Sequence, residues 1–206
     1  AALFSALSAV VPARWRPDLL PLRLAAGREA MALAERAGNP EWAVGHLTGW
    51  HVGDLMEAGD AADAARVAAF GAGASEIHHQ PYVRLVLTNC RAMIALHAGR
   101  FAEAEALALE GFRHATQFAQ TTGAAAVQLF TLRREQGRLA ELAPVLEQFQ
   151  RSVPDSLTWQ PGYIVLNCEL GRQEQAQAAF ERLAAGDFTI GNAADGARSG
   201  SLVYLA

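Results

Sequence analysis

The chain has 206 residues, a formal net charge of −4 and a composition that is 51% hydrophobic but only 8% aromatic. Its length allows one domain or a short array of repeats with a sizeable core, and excludes a miniature scaffold stabilised by disulfides or metals. The acidic balance and the lack of a Lys or Arg cluster argue against direct contact with nucleic acid. Because alanine dominates the apolar residues, closely packed helices are favoured over a sheet.

The cysteines and the hydropathy predict a cytoplasmic protein. Cys90 and Cys168 lie far apart in apolar helical runs, which is typical of reduced, buried thiols. No apolar run reaches the ~20 residues that span a bilayer, and the start "AALFSALSAVVPARW" lacks the basic segment of a signal peptide, so we expect no membrane contact. The missing initiator Met and the uncapped apolar end "SLVYLA" favour a fragment of a longer protein.

The first predicted element is a helix from about Leu19 to Ala37. Asp18 is its expected N-cap, and Gly38-Asn39-Pro40 ends it, because glycine favours a helix C-terminus and proline commonly follows soon after it. We expect this helix to be the second helix of a preceding, incomplete repeat.

Four pairs of helices follow, and each pair meets at a glycine. The four segments are "MEAGDAADAARVAAF" at Gly59, "LHAGRFAEAEALALE" at Gly99, "RREQGRLAELAPVLE" at Gly137 and "CELGRQEQAQAAFER" at Gly171, with spacings of 40, 38 and 34 residues. Asp or Arg follows each glycine, and a second helical run begins within two residues. This pattern predicts helical hairpins with glycine at a positive φ in the turn.

Small residues and loops define the predicted repeats. Ala64, Ala104 and Ala176, with Leu142 in the third repeat, fall where the two helices of a hairpin cross closely. The sequence predicts a single array over residues 1–206. It consists of a partial unit at 1–40, repeats at about 41–80, 81–122, 123–157 and 158–188, and a truncated unit at 189–206.

These features resemble the tetratricopeptide repeat. The resemblance depends on the turn glycines, on the apolar residues Phe101 and Leu139 two positions later, on the small residues of the second helix and on Pro154. Gln173 and Ala61 depart from the apolar residue that the family has after the turn. The resemblance implies an all-α fold, a right-handed α-solenoid of tetratricopeptide-like (TPR-like) hairpins.

Longer stretches look like the helical regions of large bacterial signalling ATPases. "ALAERAGNPEWA", "LHAGRFAEAEALALEGF", "LFTLRREQGRLAEL" and "LNCELGRQEQAQAAFERLAAGDF" carry this similarity. Those proteins join a nucleotide-binding module to a LuxR-type DNA-binding domain or to a nucleotide cyclase domain. The resemblance implies a protein-interaction or signal-sensing segment of such a regulator. A free-standing adaptor or chaperone-like protein that binds a peptide or protein is the alternative.

Catalytic and cofactor motifs are missing from the sequence. The chain has no Gly-x-x-x-x-Gly-Lys-Ser/Thr loop, no Gly-x-Ser-x-Gly elbow, and no His within four residues of either cysteine. The pair His78-His79 lacks the companion spacing of a metal site. We therefore expect no enzymatic activity, no cofactor and no metal in this segment.

His51 and Asp54 leave two interpretations open. The residues are one helical turn apart, so that the carboxylate could orient the imidazole. Equally, they could be an ordinary solvated pair.

A binding surface is the remaining functional prediction. In the tetratricopeptide family the first helix of each hairpin lines the concave face, which implies a mixed polar, charged and Met surface suited to a protein or peptide ligand or to other domains of the same chain. The solvated side of these helices is the alternative interpretation, and a small-molecule effector inside the superhelix is a further competitor. In this chain the residues at the positions that line the concave face in the family are His46, Asn89, Met93, His97, Thr131, Arg134, Glu135, Val165 and Glu169.

Overall fold

The computed structural model describes residues 16–37, 40–78, 81–115, 122–152 and 159–188 with Leu7 and Leu205, and the side chains of 37, 40–48, 73–78 and 122–123 lie outside this description. Every regular element within these ranges is helical, so the all-α prediction is confirmed. The helices are α1 (Leu20–Ala37), α2 (Pro40–Glu57), α3 (Ala61–His78), α4 (Pro81–His97), α5 (Phe101–Ala115), α6 (Thr122–Glu135), α7 (Ala143–Ser152), α8 (Gln160–Glu169) and α9 (Gln173–Ala185). Short 3-10 turns at Pro17–Leu19 and Leu139–Leu142 precede α1 and α7.

Four turns of one geometry join the helices in pairs. In each turn a glycine has a positive φ, from 66° at Gly137 to 79° at Gly59. Its N–H donates to the carbonyl three residues back, and the next N–H donates to the carbonyl five residues back, at 2.9 Å from Arg100 to Ala95. This is the Schellman motif, which satisfies carbonyls at a helix C-terminus. The predicted glycine turns are confirmed at Gly59, Gly99, Gly137 and Gly171.

Residues 1–132 form one compact unit. Within it α2 packs on α3, α4 packs on α5, and α4 also contacts α2 and α3, while α1 packs on α2. Small and branched side chains fill the space between the helices, so the backbones approach closely. One core cluster contains Ala30, Met31, Ala34, Val52, Leu55, Ala64, Val67, Ala68 and Cys90.

The second helices of the first two hairpins bury matching positions. Ala64 of α3 is 0% exposed and Ala104 of α5, 40 residues later, is 2% exposed, as expected for residues at a close helix crossing. The match extends over the part of α3 whose side chains the structure describes. The buried residues there are Ala64, Val67, Ala68 and Gly71, and their equivalents in α5 are Ala104, Leu107, Ala108 and Gly111; α5 also buries Ala115.

Residues 133–206 form a second compact unit. Here α8 packs on α9 around Ile164, Ala179 and Leu183. A salt bridge joins the start of α9 to α7, because Arg172 Nη1 donates to Glu147 Oε1 at 2.6 Å. Ala176 is buried, in agreement with its predicted position at a helix crossing.

The third hairpin differs from the prediction at its second helix. Leu142 was expected at the helix crossing, but it is only half-buried, whereas Leu139 is 2% exposed. The segment after Gly137 begins as a 3-10 turn and becomes an α-helix at Ala143, just before Pro144, whose ring nitrogen cannot donate a hydrogen bond. The tighter turn points Leu139 inward.

Two further expectations are corrected by the structure. Asp18 is not an N-cap: its carboxylate accepts hydrogen bonds from the Arg16 guanidinium at 2.9 and 3.0 Å, because Pro17 begins a 3-10 turn that places Asp18 inside the element. Cys168 is exposed, because it lies on the outer side of α8. Cys90 is buried as expected, and burial raises the pKa of its thiol to about 12.

Replacing Gly99 with valine tests the turn geometry. At φ +71° a Cβ would meet no other atom within 4 Å, so the expected loss of about 1–3 kcal/mol in unfolding free energy arises from backbone strain alone. Gly99→Asn should lose less, because asparagine tolerates the left-handed conformation. Urea unfolding of both variants, with Ala102→Val as an exposed helical control, measures these differences. Equal stability of Gly99→Val and the wild-type chain would contradict the assignment.

Candidate functional site

The predicted surface residues of α4 have different environments. His97 is exposed at the C-terminal end of α4, where its ring is accessible to a partner. Met93 is half-buried and packs against the core cluster of the first unit. The side chain of His46 lies outside the described residues. Of Met93 and His97, His97 therefore has the more accessible side chain.

Asn89 connects three helices. Its backbone carbonyl accepts a hydrogen bond from Gln128 Nε2 of α6 at 2.7 Å. Its side-chain Oδ1 lies 2.7 Å from the point that a Cβ would occupy at Gly111 of α5, so a larger residue there would displace the Asn89 side chain. Asn89 thus contributes to helix packing, which the predicted binding role did not include.

The predicted residues near the end of α6 and in α8 include one direct contact. Arg134 Nε donates to Glu169 Oε1 at 3.1 Å, and both side chains are substantially exposed. Glu135 is exposed, and Thr131 Oγ1 donates to the backbone carbonyl of Val127. Val165 is only 7% exposed and belongs to the interior of the second unit. The structure therefore brings Arg134 and Glu169 together, while Val165 presents little surface to a ligand.

A buried ion-pair cluster between α1 and α2 was not predicted. Arg23 of α1 is 0% exposed, and its Nη1 donates to Asp54 of α2, which is 1% exposed. Its Nη2 donates to Glu57 Oε2 at 2.7 Å and to the Arg16 carbonyl at 3.4 Å. A buried charge is tolerated only when it is paired and hydrogen-bonded. The two carboxylates thus make it possible for an arginine to occupy the α1–α2 interface.

A signal for this cluster exists in the sequence. Arg23 shares helical spacing with Ala26, Ala30 and Ala34, all of which are buried. An arginine on an inward face requires a carboxylate on the facing helix. The partner, Asp54, lies 31 residues away, and only the tertiary fold brings it to Arg23.

His51 lies in a slot beside this cluster. Its ring packs directly on Gly27 of α1, where an added Cβ would lie 2.2 Å from Nδ1. His51 is 2% exposed, and its Nδ1 has no hydrogen-bond partner among the described residues. Both earlier interpretations are wrong: the pair with Asp54 is not solvated, and the Asp54 carboxylate binds Arg23 instead of orienting the imidazole.

Burial shifts the pKa values of His51 and Asp54 in opposite directions. Desolvation lowers the pKa of His51 below its ordinary 6.5; Arg28 lowers it further, Asp63 opposes the shift, and Arg66 adds to it. Desolvation raises the pKa of Asp54 to about 6, against the attraction of Arg23. As the pH falls, His51 therefore lowers the stability of the folded chain and Asp54 raises it.

Comparison of the chain with protein-family models, with curated proteins and with solved structures finds no match. Among the described residues, no helix is long and apolar enough to cross a membrane, and no three His, Cys, Asp or Glu side chains converge as metal ligands. The side chains of His78 and His79, considered above as metal ligands, lie outside the described residues.

Breaking the Arg23–Asp54 pair should destabilise the first unit strongly. Asp54→Leu leaves Arg23 buried with only one acidic partner, Glu57, so we expect a loss of about 3–5 kcal/mol in unfolding free energy. The double variant Arg23→Met/Asp54→Leu should lose less than Asp54→Leu alone, because no uncompensated charge remains. Chemical denaturation of the single and double variants measures the coupling, and additive losses would contradict a direct ion pair.

The pH dependence of stability should separate His51 from Asp54. Below pH 6.5 the unfolded chain binds a proton at His51 more readily than the folded chain, so His51 lowers stability as the pH falls. Asp54 raises stability as the pH falls from about 6 towards 3.8, because the folded state binds its proton first. From pH 7 to 5, His51→Gln should therefore lose less stability than wild type, and Asp54→Asn should lose more. Parallel stability curves in urea unfolding would contradict both assignments.

Proposed function

We propose that this chain is a non-catalytic protein-binding segment built as a right-handed α-solenoid of TPR-like hairpins. The observation that carries the proposal is the repetition of one Schellman turn at four glycines spaced by 40, 38 and 34 residues. A turn that recurs at nearly constant spacing is the signature of a repeat array, in which each hairpin contacts its neighbours. Repeat arrays of this kind present long surfaces for peptides and proteins.

The proposed binding face is the exposed side of the first helix in each hairpin. On α4 its accessible residue is His97, and at the end of α6 and on α8 its exposed residues are Arg134, Glu135 and Glu169. Polar and charged side chains of both signs suit a peptide that carries its own charges. Since the rim of such a face is solvated, these residues contribute more to selectivity than to affinity.

The proposed setting is a larger bacterial regulator, in which this segment senses a signal or contacts an attached module. The resemblance to helical regions of signalling ATPases supports this setting, as does α1, which packs on α2 as the second helix of a preceding hairpin would. In this proposal the segment transmits binding through its helical hairpins, and any chemistry belongs to other modules of the regulator. The ligand is a protein, a peptide or another domain of the same regulator.

Site-specific photocrosslinking in the source cells tests the binding face and the setting together. A benzophenone amino acid in place of His97 should give a crosslinked product, whereas the same probe in place of the exposed Ala106 of α5 should not. An antibody against this segment should detect the intact protein well above 22.0 kDa. Equal crosslinking from both positions, or none from His97, would contradict the proposed face. A single band near 22.0 kDa would contradict the larger regulator and favour a free-standing adaptor.

A further inference from the structure

A groove of about 350 Å³ lies between α3, α4 and α5. Of these three helices, only α4 also belongs to the binding face proposed above. One wall is the alanine-rich side of α3. Ile94 and Arg91 of α4 contribute to the lining, and Arg100 and Glu103 lie at the start of α5. The volume falls at the lower end of the range of ligand sites in proteins. Ala69 and Ala72 form part of the α3 wall.

Comparison of α3 with α5 explains why the groove is open. The two helices bury the same positions, 40 residues apart, so their outward positions are equivalent as well. Where α3 has Ala69 and Ala72, α5 has Leu109 and Phe112, which are 43% and 39% exposed. The first hairpin thus presents methyl groups at positions where the second presents large apolar side chains. The groove is the space that these missing side chains leave.

The charges around the groove favour an acidic occupant. Arg100 Nε donates to Glu103 Oε2 at 2.7 Å, so these two charges neutralise each other. Arg91 is exposed, and its guanidinium forms no ion pair or hydrogen bond with any described residue. A carboxylate from a partner would give Arg91 the bidentate contact that a guanidinium favours.

We propose that this groove binds an amphipathic helix of a partner protein. The helix supplies an acidic side chain to Arg91 and places leucine-sized and phenylalanine-sized side chains over Ala69 and Ala72, in a helix-in-groove mode. The segment of α5 offers such a combination on one helix, because Glu105 lies four positions before Leu109 and seven before Phe112. The inference is independent of the proposed face on His97.

A peptide with that pattern is the direct probe. We would use a fluorescein-labelled, amidated peptide with the sequence of residues 101–115 and measure its anisotropy on titration with the full chain. We expect saturable binding. A peptide with alanine in place of its leucine and phenylalanine at the positions of Leu109 and Phe112 should bind at least ~10-fold more weakly, because it cannot fill the groove.

Variants of the chain then assign the binding to the groove. The double variant Ala69→Leu/Ala72→Phe fills the groove with the side chains that the neighbouring hairpin has at these positions. Arg91→Glu reverses the charge beside the groove. Each variant should bind the peptide about tenfold more weakly or worse. Ala106→Leu, an apolar change of the same kind on the outside of α5, should have no effect. Thermal unfolding monitored by circular dichroism checks that each variant folds.

Three results would overturn the proposal. The first is the absence of saturable binding to the wild-type chain. The second is binding that persists unchanged when the groove is filled in a folded Ala69→Leu/Ala72→Phe variant. The third is unchanged affinity of Arg91→Glu, which decides alone if the filled variant fails to fold, because its change is on an exposed side chain. None of these results depends on whether His97 contacts a partner.

Discussion

The helical hairpin in this protein depends on one backbone event: the residue after the first helix must turn into the left-handed region. An L side chain is strained there, whereas glycine enters at little cost. The turn then makes two hydrogen bonds that end the helix, from the glycine N–H and from the N–H that follows. These bonds fix the direction of the second helix. The buried alanines Ala64, Ala104 and Ala176 then permit the two helices to approach closely.

The interface of α1 with α2 combines apolar packing with a buried ion pair. Apolar residues of both helices belong to one core cluster, and beside them a fully buried arginine is paired with Asp54 and Glu57, next to a histidine fitted against Gly27. Such a pair adds little net stability over an apolar packing of the same shape, because both charges lose their hydration. It does penalise every alternative register strongly, since a shift of either helix would leave a charge unpaired. The pair therefore fixes how α1 docks on α2.

The sequence was a good guide where the cause is local. Glycine positions, helical spacing and small residues predicted the four turns, the helix that precedes them and the burial of Ala64, Ala104 and Ala176, because each of these depends on neighbours within a few residues. Leu142 was wrongly placed at the helix crossing because the segment after Gly137 adopts a 3-10 turn before Pro144. The Arg23–Asp54 pair needs a contact across 31 residues, and the open groove at Ala69 emerges only when α3 and α5 are compared in three dimensions. The helical spacing of Arg23 indicates that it faces inward, but a local pattern does not identify the partner that it meets there.

Hydrogen exchange of four backbone amides tests the account most directly. Asp60, Arg100, Arg138 and Arg172 follow the turn glycines, and each donates its N–H to a carbonyl five residues back at 2.7 to 2.9 Å. The account predicts that all four amides are protected to the level of the adjoining helices when measured by nuclear magnetic resonance. Exchange at the rate of an unstructured chain at these positions would contradict the repeated turn, and with it the repeat array.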